Sequence, residues 1–325
     1  SEFAEVNNTS HCISCANGTD AIYIVLKALG IGAGDEVITV ANTWISTAET
    51  ITQTGAKPVF VDIDPRFYTI DVAKIEAQIT SKTKAIIPVH LFGQPADMDS
   101  IVRICNEYNL FLVEDCAQSH LAEWDHKKVG TFGVAGTFSF FPGKNLGAYG
   151  DAGGIITNDD VLAKKMRMYA NHGALIKHQH KIEGINSRMD GLQAAILSVK
   201  LSYLPDWSNS RLEAAKKYNE IFKDIPGIVY PEIHKNVKHV FHLYVVRVKN
   251  RTGLQESLKQ NDISTSIHYP CPLPYLEAYK YMGHTAEDFP VAYSYKDEIL
   301  SLPMFPEITS DQIEYVAANI KNFLL

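Results

Sequence analysis

Four short apolar runs rich in β-branched residues punctuate the N-terminal half of the chain: Glu36–Val40, Lys57–Asp62, Lys84–Val89 and Leu110–Asp115. Between them lie stretches with apolar residues at three- and four-residue spacing, roughly 20–29, 43–54, 72–78 and 98–108. Buried strands alternating with helices predict a mostly parallel sheet covered on both faces. Gly133–Phe141 and Gly153–Thr157 read as two more strands. Beyond Thr157 the rhythm changes. Val161–Ala170 reads as a helix, and the polar, His-rich stretch Asn171–Glu183 as a long loop. A helical run from Met189 to Phe222 follows, with a kink expected at Pro205. The remainder mixes strands (Val240–Val248, Ser264–Tyr269) with helices (Gly253–Gln260, Ser310–Phe323), which predicts a smaller α+β domain. The expected division is a large domain over 1–205 and a small one over 206–325.

At 325 residues and 46 % hydrophobic, the chain has material for a large core, which excludes disorder as a description of the whole. Lys plus Arg number 30 against 37 Asp plus Glu, a net charge of -7, which argues against a nucleic-acid partner. No apolar run reaches the length of a membrane span, so no membrane partner is expected. Ser1-Glu2-Phe3-Ala4-Glu5 lacks the basic-then-apolar pattern of a signal peptide, and five cysteines, an odd count, fit reduced thiols in the cytoplasm. Cys12 and Cys15 form a C-x-x-C pair with no second pair for zinc. They read as two thiols on or beside a strand, and no metal site is expected.

The commonest phosphate and hydrolase signatures fail. Asn145 follows Gly143-Lys144 where a P-loop needs Ser or Thr, and no G-x-G-x-x-G, H-E-x-x-H or G-x-S-x-G is present. Candidate chemistry sits instead at expected strand ends, where open α/β sheets bind ligands. Asp115 and Gln118 follow the run ending at Val113. A carboxylate there can be a general base, a metal ligand or the partner of a cationic ring, and position alone favours none. Lys144 is a single lysine in a bend rich in Gly and aromatics. A desolvated lysine has a lowered pKa and can form a Schiff base. Ser139 offers a hydroxyl to a phosphate. Asn17-Gly18-Thr19-Asp20 opens a helix, whose free N–H groups suit an anion as well as an ordinary N-cap.

Taken together, these segments resemble the sugar aminotransferases of the DegT/DnrJ/EryC1/StrS family, which use pyridoxal 5′-phosphate (PLP). The likeness runs nearly end to end. Val113–His120, Ser139–Gly147 and Gly184–Asp190 carry it most specifically. It implies the type I PLP-dependent transferase fold, α/β, with a mostly parallel seven-stranded sheet in the large domain, a small α+β C-terminal domain and a homodimer with shared active sites. It implies that Lys144 bonds to the cofactor and shuttles protons, and that Asp115 pairs with the pyridine nitrogen. Gln118 would lie near the ring hydroxyl, Gly18, Thr19 and Ser139 would cradle the phosphate, and Trp44 would stack on the ring. Asn186 would reach the phosphate from the other subunit. Arg188 would meet an anionic part of the sugar nucleotide, with His268 and Tyr269 near the sugar.

Within the family, enzymes that aminate 3-keto sugars tend to read S-F-[FY]-P-x-K-N-L-G and then G-D-x-G. Ser139–Gly147 and Gly150-Asp151-Ala152-Gly153 resemble that branch. The implied reaction converts a dTDP- or UDP-linked 3-keto sugar to its 3-amino sugar with glutamate as donor. Amination at C4, or a non-catalytic regulatory protein on the same fold, are the alternatives. Lys144 stands where related dehydratases carry His. The resemblance also implies a few tens of residues ahead of the position of Phe3, some within reach of substrate.

Overall fold

The computed structural model describes all 325 residues. Seven strands form one sheet: β1 (His11–Cys15), β2 (Glu36–Val40), β3 (Lys57–Val61), β4 (Thr83–Ile87), β5 (Phe111–Asp115), β6 (Ala135–Ser139) and β7 (Gly153–Thr157). Their spatial order is β1-β7-β6-β5-β4-β2-β3. From β3 across to β6 all pairs are parallel. Only β7 runs against its neighbours, β6 on one side and β1 on the other. The cause lies in the connection. Residues 140–152 hold no helix, and a parallel return needs a crossover that such a segment does not supply. That same connection carries Lys144.

Alternate residues of each strand feed cores on opposite faces. On one side, Val37, Ala85, Ile87, Val113 and Ile155 meet Ala21, Ile24 and Val25 of α1 (Gly18–Ala28), with α2 (Ser46–Gln53) beside it. On the other, Ile38, Ile86 and Leu112 meet Met98, Ile101 and Ile104 of α3 (Met98–Tyr108). Both long helices start on side-chain caps. Asn17 accepts from Asp20 N at 2.7 Å, and Asp97 from Ser100 N at 3.1 Å. Next come α4 (Asp160–Ala170), α5 (Gly191–Leu201) and α6 (Leu204–Phe222). A third core lies in the C-terminal part, where Tyr218 and Phe222 of α6 stack with Tyr244 of β8 (Tyr244–Arg247). β8 pairs antiparallel with β9 (Ile299–Leu302), flanked by α7 (Arg251–Gln260) and α9 (Ser310–Leu324), with α8 (Pro290–Tyr295) toward the sheet. No helix is long and apolar enough to cross a membrane.

Several local expectations need correction. Residues 72–78 form two 3₁₀ turns, Val72–Lys74 and Glu76–Gln78, because a segment this short, opened by the Asp71 cap, closes tight turns. The run from Met189 to Phe222 is two helices, broken at Ser202–Tyr203. Pro205 lies in the first turn of α6, where its missing N–H costs nothing, so it starts a helix instead of kinking one. Val240–Val248 shrinks to β8, and Ser264–Tyr269 contributes one bridge, Ser266 to Ser301, instead of a strand. The Asn171–Glu183 loop is tied across by bridges from Asn171 to Asn186 and from Ala174 to His180. Cys12 and Cys15 lie in β1 as free thiols, and burial pushes Cys12 up to about 11.

One carboxylate fastens the C-terminal part to the sheet. Asp62, just past β3 and fully buried, accepts from Val291 N at 3.1 Å and Ala292 N at 2.9 Å, the free donors at the start of α8. Lys74 Nζ balances its charge at 3.2 Å. Asp62→Ala should therefore cost about 2–3 kcal/mol of stability, the scale of a lost cap plus orphaned buried donors. Thermal unfolding with limited proteolysis is the check, with new cleavage expected first around α8.

Candidate active site

The ends of β5 and β6, the start of α1 and the start of α2 converge on one place. Asp115, the last residue of β5, is buried. Its Oδ2 accepts from Thr47 Oγ1 at 2.8 Å and its Oδ1 from Ala117 N at 3.1 Å. Burial pushes its pKa above the usual carboxylate range. The Ala117 N–H, the Thr47 hydroxyl and nearby Lys144 pull the other way. Each oxygen thus retains a lone pair, and the carboxylate has no ion-pair partner at contact distance.

Gln118, three residues on, is fixed from both ends. Its Oε1 accepts from Phe92 N at 2.6 Å, and its Nε2 donates to Tyr269 Oη at 3.0 Å. Tyr269 in turn lies 5.9 Å from Trp44, ring centre to ring centre. Trp44 is 59 % exposed, an unusual state for a tryptophan in a protein with this much core. It stands at the mouth of the site with a face free.

The phosphate-cradle candidates come together as well. The N–H groups of Gly18 and Thr19, the first residues of α1, donate to nothing within the chain, as the ends of helices require. A Cβ on Gly18 would lie 2.6 Å from Ser139 Cβ, so glycine alone lets α1 begin directly on the end of β6. Thr19 Oγ1 meets Ser46 Oγ at 2.6 Å, joining α1 to α2. Hydroxyls, free N–H groups and a positive helix end thus face one place, an anion site in its donor chemistry.

Lys144 lies in the β6–β7 connection and makes no ion pair. Desolvation lowers its pKa to about 8, with Asp115 holding it up against a further fall. His120 beside it is buried among Phe3, Phe138 and Phe140, and burial keeps it neutral, with a pKa near 3. The arrangement fits PLP: a dry amine for the aldehyde, a buried carboxylate with free lone pairs for the ring nitrogen, an N–H cradle for the phosphate and an exposed indole for the ring face.

Asn186, expected to reach the phosphate from the other subunit, and Arg188, expected to meet the substrate, lie on one segment beside α1. Asn186 and Arg188 are exposed and make no hydrogen bond to Asp115, Gln118 or Lys144 within the chain. Arg188 Nη1 donates to Asn171 Oδ1 at 3.1 Å. Ser187 between them is buried; it donates to Asp20 Oδ2 at 2.7 Å and accepts from Ala16 N at 3.1 Å, so this segment is pinned beside the start of α1. His268 Nδ1 lies 2.8 Å from Ser301 Oγ.

Thr47 and Ser46 escaped the sequence reading, although both directly follow the Thr43-Trp44-Ile45 stretch that it singled out. Glu114 and His90 escaped it too. Glu114 accepts from the N–H groups of Gly130, Phe132 and Gly133 at 2.6, 2.7 and 2.9 Å and lies 3.1 Å from His90 Nε2. His90 Nδ1 accepts from Ala96 N at 3.1 Å, which leaves Nε2 as the donor. With Cys116 these groups lie close enough to hold a metal, but every lone pair of His90 and most of those of Glu114 are already engaged.

The DegT/DnrJ/EryC1/StrS aminotransferase family model matches residues 1–321. A pleiotropic regulatory protein of Geobacillus stearothermophilus is 47 % identical over 99 % of this chain and 87 % of its own. A dTDP-3-amino-3,6-dideoxy-alpha-D-galactopyranose transaminase of Aneurinibacillus thermoaerophilus is 45 % identical over 99 % of this chain and 88 % of its own. The crystal structure of S. venezuelae DesV in complex with a ketimine intermediate superposes with a TM-score of 0.97 at 37 % identity, covering 99 % of this chain and 87 % of that one.

An amine reacts with an aldehyde only when unprotonated. Capture of PLP by Lys144, trapped with borohydride and located by peptide mapping, should rise with pH about a midpoint near 8 instead of the ordinary 10.5. Asp115→Asn removes the charge that helps Lys144 keep its proton, so the midpoint should move lower still. A midpoint that stays or rises in that variant would show that the two groups do not interact.

Proposed function

The chain belongs to the DegT/DnrJ/EryC1/StrS aminotransferase family, and from that membership we propose that it transfers an amino group from glutamate to C3 of a dTDP- or UDP-linked 3-keto sugar. The observation that carries the chemistry is the pair at the heart of the site, a desolvated Lys144 beside a buried, incompletely satisfied Asp115. The observation that carries the position of amination is the Pro142-Gly143-Lys144-Asn145-Leu146-Gly147 reading, together with the 45 % identical relative that forms a 3-amino sugar.

When bound, PLP supplies an electron sink for the pair left by a breaking C–H bond. The protein's part is assigned as follows. Asp115 would pair with the ring nitrogen and keep it protonated. Gly18, Thr19 and Ser139 would hold the phosphate, Trp44 would stack on the ring, and Gln118 would serve the ring hydroxyl. Lys144 Nζ, near its midpoint in neutral to mildly alkaline solution, takes the proton from the donor's α-carbon and later returns one to C3 of the sugar. His268 and Tyr269 border the sugar's side of the site.

The chain acts as a homodimer in this reading. Of the eleven residues of α5, only Leu197 and Leu201 are buried. Leu192 and Val199 on the same helix are 70 % and 67 % exposed, and Tyr203 just beyond is 54 % exposed. Leu175, Ile176 and Ile182 in the preceding loop are exposed too. Such crowding of apolar side chains on one stretch is a surface awaiting cover. A second copy there would bring its Asn186 and Arg188 toward this site, in the roles of phosphate and substrate contacts. We place the protein in the cytoplasm, where nucleotide sugars and reduced cysteines coexist.

A regulatory reading draws on the name of the relative from G. stearothermophilus. The intact lysine–carboxylate pair favours catalysis, since a pure binder has no use for a reactive amine. Incubation with purified 3-keto and 4-keto nucleotide sugars, glutamate and PLP should yield nitrogen at C3 by NMR. Nitrogen at C4 would move the activity to the other branch, and no product from either would favour regulation. Lys144→Ala should lose at least about a thousandfold in turnover, as covalent and proton-shuttling roles vanish together. Leu192→Asp with Val199→Asp should give a monomer by sedimentation, with turnover lost alongside.

A further inference from the structure

Helix α5 touches the catalytic connection as well as the outer surface. Its buried Leu197 and Leu201 join the apolar cluster that contains Leu146 and Ala148, residues just past Lys144. Two polar side chains of the same helix reach the backbone of that stretch. Gln193 Oε1 accepts from Tyr149 N at 2.8 Å, and Gln193 Nε2 donates to Tyr149 O at 3.4 Å. Lys200 Nζ donates to Gly147 O. The backbone they hold is already pressed against itself, since a Cβ on Gly147 would lie 2.3 Å from Pro142 O.

Lys200 has no carboxylate partner. Its ammonium lies 5.4 Å from the ring centre of Tyr149 and 5.9 Å from that of Trp207, so a carbonyl and two aromatic rings lie to one side of the half-buried charge. Burial lowers its pKa. A lysine serving only solubility would extend its ammonium into water. This one is turned back onto the Gly147–Tyr149 loop and Trp207 of α6.

We propose that Lys200 and Gln193 are positioning residues, which hold the Gly147–Tyr149 backbone so that Lys144 stays in its dry place beside Asp115. The proposal rests on Lys144 being the lysine that bonds PLP. Gln193 carries no charge, so its removal reaches Lys144 only through the backbone it holds.

The test is the pH midpoint of PLP capture on Lys144, measured with thermal unfolding on the full chain. Lys200→Met keeps the stem and removes the donor. Gln193→Leu removes both bonds to Tyr149. Lys200→Arg keeps a donor near Gly147. In the first two variants water gains access to Lys144, and the midpoint should climb from about 8 toward 10.5. A climb of roughly half a pH unit or more is expected, which slows capture near neutral pH about threefold. Lys200→Arg should stay near the parent. An unchanged midpoint in both folded variants overturns the proposal, whatever happens to their stability. Should Lys200→Met fail to fold, Gln193→Leu decides by the same criterion. Parent protein that captures no PLP on Lys144 would instead overturn the functional reading.

Discussion

Two adjacent carboxylates end the central strand, and the site depends on how differently they are treated. Glu114 and Asp115 point to opposite faces because a strand alternates. Glu114 is satisfied by three backbone N–H groups and His90. It binds the 130–133 turn and the segment after β4 to the end of β5, and so fixes where the strand stops. Asp115 receives only two hydrogen bonds and is left wanting a cation. Glu114 is used up in architecture, while Asp115 keeps acceptor capacity unfilled. The backbone repeats the division, since Asp115 N donates to Pro88 O while Asp115 O accepts from His90 N, both at 3.0 Å.

The rest of the site is assembled from chain segments far apart in sequence but close to this strand end. Thr47 reaches Asp115 from α2, Phe92 reaches Gln118 from the turn after β4, and Tyr269 reaches the same Gln118 from the C-terminal part. Each contact is a single hydrogen bond of modest net worth, but a buried partner left alone would be costly. That asymmetry makes the constellation rigid: no member moves without orphaning another. A preorganised site of this kind spends little at the moment of reaction.

Much of this was legible in the residues. The alternation of apolar strands with helical patterns foretold the parallel sheet, since strands buried on both faces can be little else. Lys144, Asp115 and Gln118 stood out because charged or polar groups at strand ends in apolar surroundings are informative. Thr47 was hidden because a threonine in a helix looks like any other until the carboxylate it bonds is known. Glu114 was hidden for a related reason: its partners are backbone N–H groups, which carry no sequence signature at all. The strand Ile299–Leu302 and the helix Pro290–Tyr295 were missed since each is a few residues long and is held by distant contacts, Asp62 among them. Pro205 was seen, but its effect depends on which turn of a helix it occupies, and a continuous apolar pattern conceals that.

The reversed strand β7 bears on how the chain acquires its shape during synthesis. β1 pairs with nothing but β7, with His11 opposite Thr157. β1 can therefore gain its sheet partner only once residues as far as Thr157 are in place. By then β2 to β6 can already be docked, so β1 closes a sheet that is otherwise complete, at the far edge from β3. The connection bearing Lys144 is drawn taut in that same closing step, because it leads into β7. Lys144 is thus held on a segment whose two ends are fixed by different partners, β6 beside β5 on one side and β7 beside β1 on the other.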